Sequence, residues 1–436
     1  MVPTRPELPP RGISVGLIAT VLAALLAWTA MLFRPTAIGE VYNSQLAAAL
    51  VGLTLALLLC SVWRAKAEGL VDISPQAALF FIAVLYVAIR SVSAGGMFAV
   101  NGLKGLAVGM AGLFAVVAVN LTPESRLKFY SAAAIFVVAT CASTLLTRIL
   151  LSTGMTADNL KIFRFAYTYV SAGDVLTPFT FAFNKVTTLF GVQPRLSGIY
   201  REPGLLPAFA CWAAAYAHFR RWPLWVSAVC IAGSAVSLSS FGLPLAVYTG
   251  ALLACLKAKI PLSVATLVLI GLLCLAWPII YGMKDVGVGS KIASDSVSFR
   301  ERLYLIQIAF SAQNAVFGDG LQRMYRANEG ISLIAQTRLF GLFYVFVVLA
   351  YYFRAVKNFP FFIAGLIPAL VIILTSQPIS LDVPVFIIFT SWVALPEVVK
   401  GRARRSRREA MTASPWAVRI PISYRKRAPD PIRGQR

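Results

Sequence analysis

The chain of 436 residues is 58% hydrophobic and 13% charged, with a mean hydropathy of +0.76. Soluble domains carry close to a quarter charged residues, so this balance excludes a soluble globular protein and calls for a chain that crosses a membrane repeatedly. The formal charge of +23 does not make it a nucleic-acid binder, because the stretch from Lys400 to Arg436 alone holds twelve Lys and Arg against Glu409 and Asp430; a basic tail beside a membrane helix is an anchor facing anionic lipid.

Apolar runs of bilayer-spanning length predict helices at about 13–33, 44–63, 74–90, 97–119, 128–151, 204–219, 223–238, 240–256, 260–280, 331–353, 359–376 and 382–399. The first run follows MVPTRPELPPRG, is too long for a signal-peptide core and lacks a cleavage site, so it is expected to stay as an anchor. The organisation this predicts is five membrane helices in 1–151, a large loop at 152–203, four helices in 204–280, a second large loop at 281–330, three helices in 331–399 and a basic tail at 400–436.

Lys and Arg in the short connections set the orientation. With the N-terminus in the cytoplasm, the inside receives RAKAEG (64–69), PESRLK (123–128), HFRRWP (218–223), KAK (257–259), FRAVKN (353–358) and the tail. The outside receives SVSAGG (91–96), SLSSFG (237–242) and SQPIS (376–380), which carry no charge. The expected fold class is therefore an all-α polytopic inner-membrane bundle of about twelve helices. Both termini lie in the cytoplasm and both large loops in the periplasm.

The six cysteines sit inside apolar runs without CxxC spacing and read as small buried hydrophobes. The single histidine, His218, ends a span and reads as an interfacial residue. No metal site and no cofactor follow from this inventory.

Long loops usually carry function. The first contains FRFAYTYVSAGDVLTPFTFAFNKVTTLF (163–190), expected to be an interfacial or re-entrant segment whose rings anchor at headgroup depth. Lys161, Lys284 and Lys291 read as solvated charge, whereas Arg195, Arg201, Arg300 and Arg302 lie near turns or the next amphipathic run, SFRERLYLIQIAF (298–310). Their planar forks suit a phosphate or pyrophosphate at the membrane surface. Further on, Gly318 and Gly320 flank Asp319 in a tight turn whose amides are candidates to face an anion or sugar hydroxyl.

Three stretches carry a resemblance. RLSGIYREPGLLPAFA (195–210) resembles the R-x-x-G-x-x-x-E-P stretch of the O-antigen polymerase and ligase superfamily. FRERLYLIQIAFSAQNAVFGDGL (299–321) resembles its arginine-rich segment and glycine turn, and GISLIAQTRLFGLFYVFVVLAYYFR (330–354) its helix after the second large loop.

That resemblance implies an inverting, metal-independent glycosyltransferase of the bacterial inner membrane, with undecaprenyl-diphosphate-linked oligosaccharide as donor. Membrane lipid and a chain-length regulator would be its partners, and no nucleic acid. Carried over, Arg195, Arg201, Arg300 and Arg302 would hold the diphosphate, with Arg195 and Arg300 stabilising its departing charge. Glu202 would orient a sugar hydroxyl, act as general base, or pair locally with Arg201 or Arg195. Ligases and many polymerases carry a histidine near the end of the second loop. RANEGISL (326–333) has none, leaving Asp319 or Glu329 as substitutes. The expected function is therefore polymerisation of repeat units into exopolysaccharide or O-antigen. The rivals are ligation of polymer to lipid A-core, and a flippase or transporter, against which the nearly charge-free spans argue.

Overall fold

The computed structural model describes residues 15–63, 73–167, 170–188, 191–261, 314–321, 332–375 and 377–396, with isolated positions between 264 and 307. The chain is mostly helical. Helix α1 is Val15–Met31, α2 Ala37–Val41, α3 Asn43–Trp63, α4 Ser74–Ala94, α5 Gly96–Val119, α6 Pro123–Ser152 and α7 Ala157–Leu160. After a sheet come α8 (Leu206–Phe219), α9 (Leu224–Val236), α10 (Gly242–Lys257) and α11 (Leu333–Phe353). A 3-10 turn, Arg354–Asn358, leads into α12 (359–375), which contains a π turn at Phe362–Leu366, and α13 is Val383–Thr390. Among the described residues, five apolar helical stretches are long enough to cross a membrane and four shorter apolar helices accompany them, so the protein is a multi-helix membrane protein.

Local sequence explains most of these boundaries. Thr122 caps α6 by accepting from the Ser125 amide, with Pro123 in the first turn, where its missing N–H is harmless. Ser332 caps α11 in the same way through the Ala335 amide. Gly95, at φ 73°, ends α4 and lets α5 return beside it.

Without a hydrophobic force between helices in lipid, close approach depends on small residues. A Cβ on Gly102 would stand 2.3 Å from Ser91 Cβ, on Gly109 2.8 Å from Val84, and on Gly112 2.6 Å from Val383, so α5 lies directly against α4 and α13. Helix α8 is buried from Leu206 to Ala217 and forms the centre of the bundle. At the end opposite the sheet, Gln76 donates to the carbonyls of Tyr351 and Phe389 and accepts from Trp392 Nε1.

The segment expected to be interfacial or re-entrant is instead a four-stranded antiparallel meander: β1 (Lys161–Tyr167), β2 (Val170–Leu176), β3 (Thr180–Thr188) and β4 (Gly191–Leu196). One face places Val175 and Phe181 against Ala37 of α2, with Phe165 and Phe179 beside them. The other places Leu176 and Leu196 against Leu160, with Leu150 and Leu151 of α6 beside them. The aromatic rings predicted to anchor in lipid therefore pack mainly on one another, Phe165 on Phe181 with centroids 5.6 Å apart, although Phe163 stays exposed. Hydroxyls of α6 fasten the sheet's central turn: Ser143 donates to the Phe179 carbonyl at 2.8 Å and Thr147 to the Thr177 carbonyl at 2.8 Å.

Helix α11 is broken at Gly341, whose φ of 78° and ψ of 175° belong to a region that essentially only glycine occupies. The turn at 314–321 lies in this break. The amides of Leu342 and Phe343 bond the carbonyls of Ala315 and Val316, while the Asp319 and Gly320 amides bond the carbonyls of Arg338 and Leu339. Tyr86 Oη takes the Phe340 and Phe317 carbonyls together. Each of these interrupted helical groups thus finds a partner, the condition under which a broken helix survives in a membrane protein.

Candidate functional site at the sheet end of the bundle

Residues far apart in sequence meet beside the sheet. The connection between α1 and α2 pairs with the chain leading into α8: the Ala37 amide bonds the Ile199 carbonyl at 3.1 Å, and the Arg201 amide bonds the Pro35 carbonyl at 3.1 Å. Glycine is required at position 39, where a Cβ would lie 2.3 Å from the Leu32 carbonyl oxygen. This pairing sets Arg34 near Arg201, and the connection between α12 and α13 adds Gln377, Ser380 and Asp382.

A cavity of about 380 Å³ opens there. Its polar wall carries Arg34, Asn43, Gln336, Ser380 and Asp382. It continues between α4 and α5 past Ala88, Gly105, Leu106, Val108 and Gly109. Gly109 lies thirteen residues along α5 from Gly96, about 20 Å at 1.5 Å per residue, so the apolar part reaches toward mid-helix depth. A Cβ on Gly105 would meet nothing within 4 Å, and this glycine helps keep the slot wide.

Arg34 is exposed. Arg201 is 1% exposed and lies behind the cavity wall. Burial lowers the pKa of Arg201, Arg34 adds to the lowering, and Asp382, Glu202 and Glu40 oppose it. Burial pushes the Asp382 carboxyl up to about 6, against the pull of Arg34 and Arg201. The loop bearing Asp382 is firmly held: Tyr344 and Ser380 hydroxyls lie 2.8 Å apart, Tyr352 Oη donates to the Ser380 carbonyl at 2.6 Å, and the Gln377 amide bonds the Ile372 carbonyl.

The residues singled out from sequence divide. Glu202 is half-buried and accepts from Gln377 Nε2 at 2.5 Å, which ties the start of α8 to the α12–α13 loop. Arg195 is half-buried and donates from Nε to the Leu238 carbonyl at 3.1 Å. Asp319 faces Arg338 at 3.7 Å. The amides of Gly318, Asp319 and Gly320 all bond backbone carbonyls, so the expectation that this turn presents amides to an anion gives way: the turn clasps the break in α11. Arg300, Arg302 and Glu329 lie outside the described residues.

Sequence reasoning passed over Arg34, Asn43, Gln377 and Asp382. Arg34 sat in a short connection, and Asp382 at the first position of an expected span. Their common signal was position, since all four lie in or at the edge of connections on the side assigned to the two large loops. Among the described residues no group of three or more His, Cys, Asp or Glu side chains could hold a metal ion. No family model, curated protein or solved structure matches the chain.

Proposed function

We propose that this chain polymerises oligosaccharide repeat units linked to undecaprenyl diphosphate, at the periplasmic face of a bacterial inner membrane. The observation that supports this is the cavity, polar at its mouth and apolar in its depth. An amphiphile with a charged head and a long isoprenoid tail fits both halves. Arg34 at the mouth offers the diphosphate a bidentate, charge-assisted contact. As the glycosidic oxygen departs, negative charge grows on the diphosphate, and a fixed guanidinium lowers the barrier by opposing it. Arg201, buried beside Arg34, keeps the local potential positive without touching the ligand. Glu202 and Gln377 position the loop that completes the wall.

The test is reconstitution. The purified full-length protein in lipid nanodiscs, given lipid-diphosphate-linked repeats and no ion gradient, is expected to yield a ladder of polymer sizes. Unchanged repeats would overturn the reading. Movement of intact repeats across sealed vesicles without new glycosidic bonds would favour a transporter instead.

A further inference from the structure

Asp382 occupies the N-cap position of α13, yet its side chain makes no capping hydrogen bond. Aspartate at such a position ordinarily accepts from the second or third helical amide. Here Pro384 has no amide to give at the second position. The carboxylate lines the cavity, and its Oδ2 is buried without a hydrogen-bond partner among the described residues. Asn43 Oδ1, on the same cavity wall, is likewise buried and without a partner among the described residues. A buried acceptor left without a donor costs roughly 1–3 kcal/mol. Two of them on the wall of one cavity mark a place made for a ligand that brings hydroxyl or amine hydrogens. Glu202, by contrast, is not among the cavity-lining residues, and its Oε2 already accepts from Gln377.

We propose that Asp382 is the general base of the glycosyl transfer, taking the proton of the attacking hydroxyl, with Asn43 Oδ1 accepting from a second hydroxyl of the same acceptor sugar and so orienting it. The proposal rests on the polymerase reading above. In the step, a lone pair of the acceptor oxygen forms a bond to the anomeric carbon of the donor. The bond from that carbon to the diphosphate oxygen breaks, and its electron pair leaves with the diphosphate beside Arg34. The acceptor proton passes to Asp382 Oδ2, so charge and atoms balance without metal or oxidant.

The surroundings suit the role. Arg34 and Arg201 act on the carboxylate from the α1–α2 connection and the chain before α8, Glu202 and Glu40 act on Arg201, and Asp382 in turn acts on the Tyr344 and Tyr352 hydroxyls of α11. Burial, the larger effect, carries the carboxyl to about 6. A base of that strength is still ionised at neutral pH and accepts a proton more readily than an ordinary carboxylate. The step needs the ionised form, so turnover should rise with pH through about 6 and level off above it.

Full-length wild type, Asp382→Asn and Asp382→Glu would be compared in nanodiscs for polymer formation from pH 5 to 8, with binding of undecaprenyl diphosphate measured separately. The expected result is a loss of about 10²-fold or more for Asp382→Asn, since general bases contribute about 10²–10⁴. Binding should change less than about threefold on the same reasoning, because the diphosphate is held by Arg34. Asp382→Glu should retain part of the rate with its acid limb displaced. Asp382→Asn turning over at near the wild-type rate would overturn the base assignment and leave the polymerase reading intact. Loss of lipid-diphosphate binding in Asp382→Asn would assign the residue to the fold and overturn the proposal equally. Wild type that makes no polymer would sink both.

Discussion

Arginine is the residue type that sequence reasoning weighted most, and the structure sorts its members by what they touch. Arg90 donates to the Gly318 carbonyl at 3.1 Å, Arg148 to Gln193 Oε1 and the Pro194 and Val236 carbonyls, and Arg195 to the Leu238 carbonyl. Each fastens a connection to the bundle, a task that a five-donor fork performs as well as it binds phosphate. A sequence shows the fork and not its target, which is why Arg195 read as a ligand residue and Arg34 was passed over. Arg34→Ala is expected to lower polymer formation about 10²-fold or more, the usual loss when a group opposing developing charge is removed. Arg34→Lys should recover less than a tenth of the wild-type rate, because an ammonium cannot span two phosphate oxygens at once. A folded Arg34→Ala variant with wild-type turnover would remove Arg34 from the mechanism.

Hydropathy located the helices well because lipid demands long apolar runs. The expected spans at 44–63, 97–119 and 331–353 lie within two residues of α3, α5 and α11 at each end. The sheet escaped notice for a physical reason. Apolar clusters sit on both of its faces, against α2 on one side and against α6 with α7 on the other, so its strands lack the simple apolar–polar alternation that betrays a strand packed on one face. The break in α11 hid in an apolar run, where a lone glycine gives little warning. Gly341→Ala would put a Cβ 2.1 Å from the Val316 carbonyl oxygen in a backbone region closed to alanine. It should destabilise the protein by about 1–3 kcal/mol or more, read as a lowered melting temperature in detergent together with loss of activity. Unaltered melting would mean that the clasp at 314–321 is not needed for stability.

Across the whole molecule, the organising feature is the division of one cavity between a polar end and an apolar slot. Gly105 offers a probe of that division, since a Cβ added there would meet no atom within 4 Å, leaving room for a larger side chain to enter the slot. Gly105→Phe is expected to leave folding intact, fill the slot, and weaken undecaprenyl-diphosphate binding at least about tenfold, while a short-chain lipid diphosphate binds as before. Equal weakening for both lengths would mean the slot does not take the tail. The general membrane character was legible from composition and hydropathy alone. Which side chains line the cavity was not, because that depends on contacts between segments hundreds of residues apart.

The pairing of residues 35–37 with 199–201, beside the loop that carries Asp382, has a consequence for biosynthesis. Arg34 and Asp382 leave the ribosome about 350 residues apart, an interval of roughly 20–70 s at 5–20 residues per second. On the proposed polymerase function, a chain that has not yet reached residue 382 would hold half of its site and form no product. Nascent chains stopped before the α12–α13 connection should therefore be inserted yet silent, and those extended past it should gain activity.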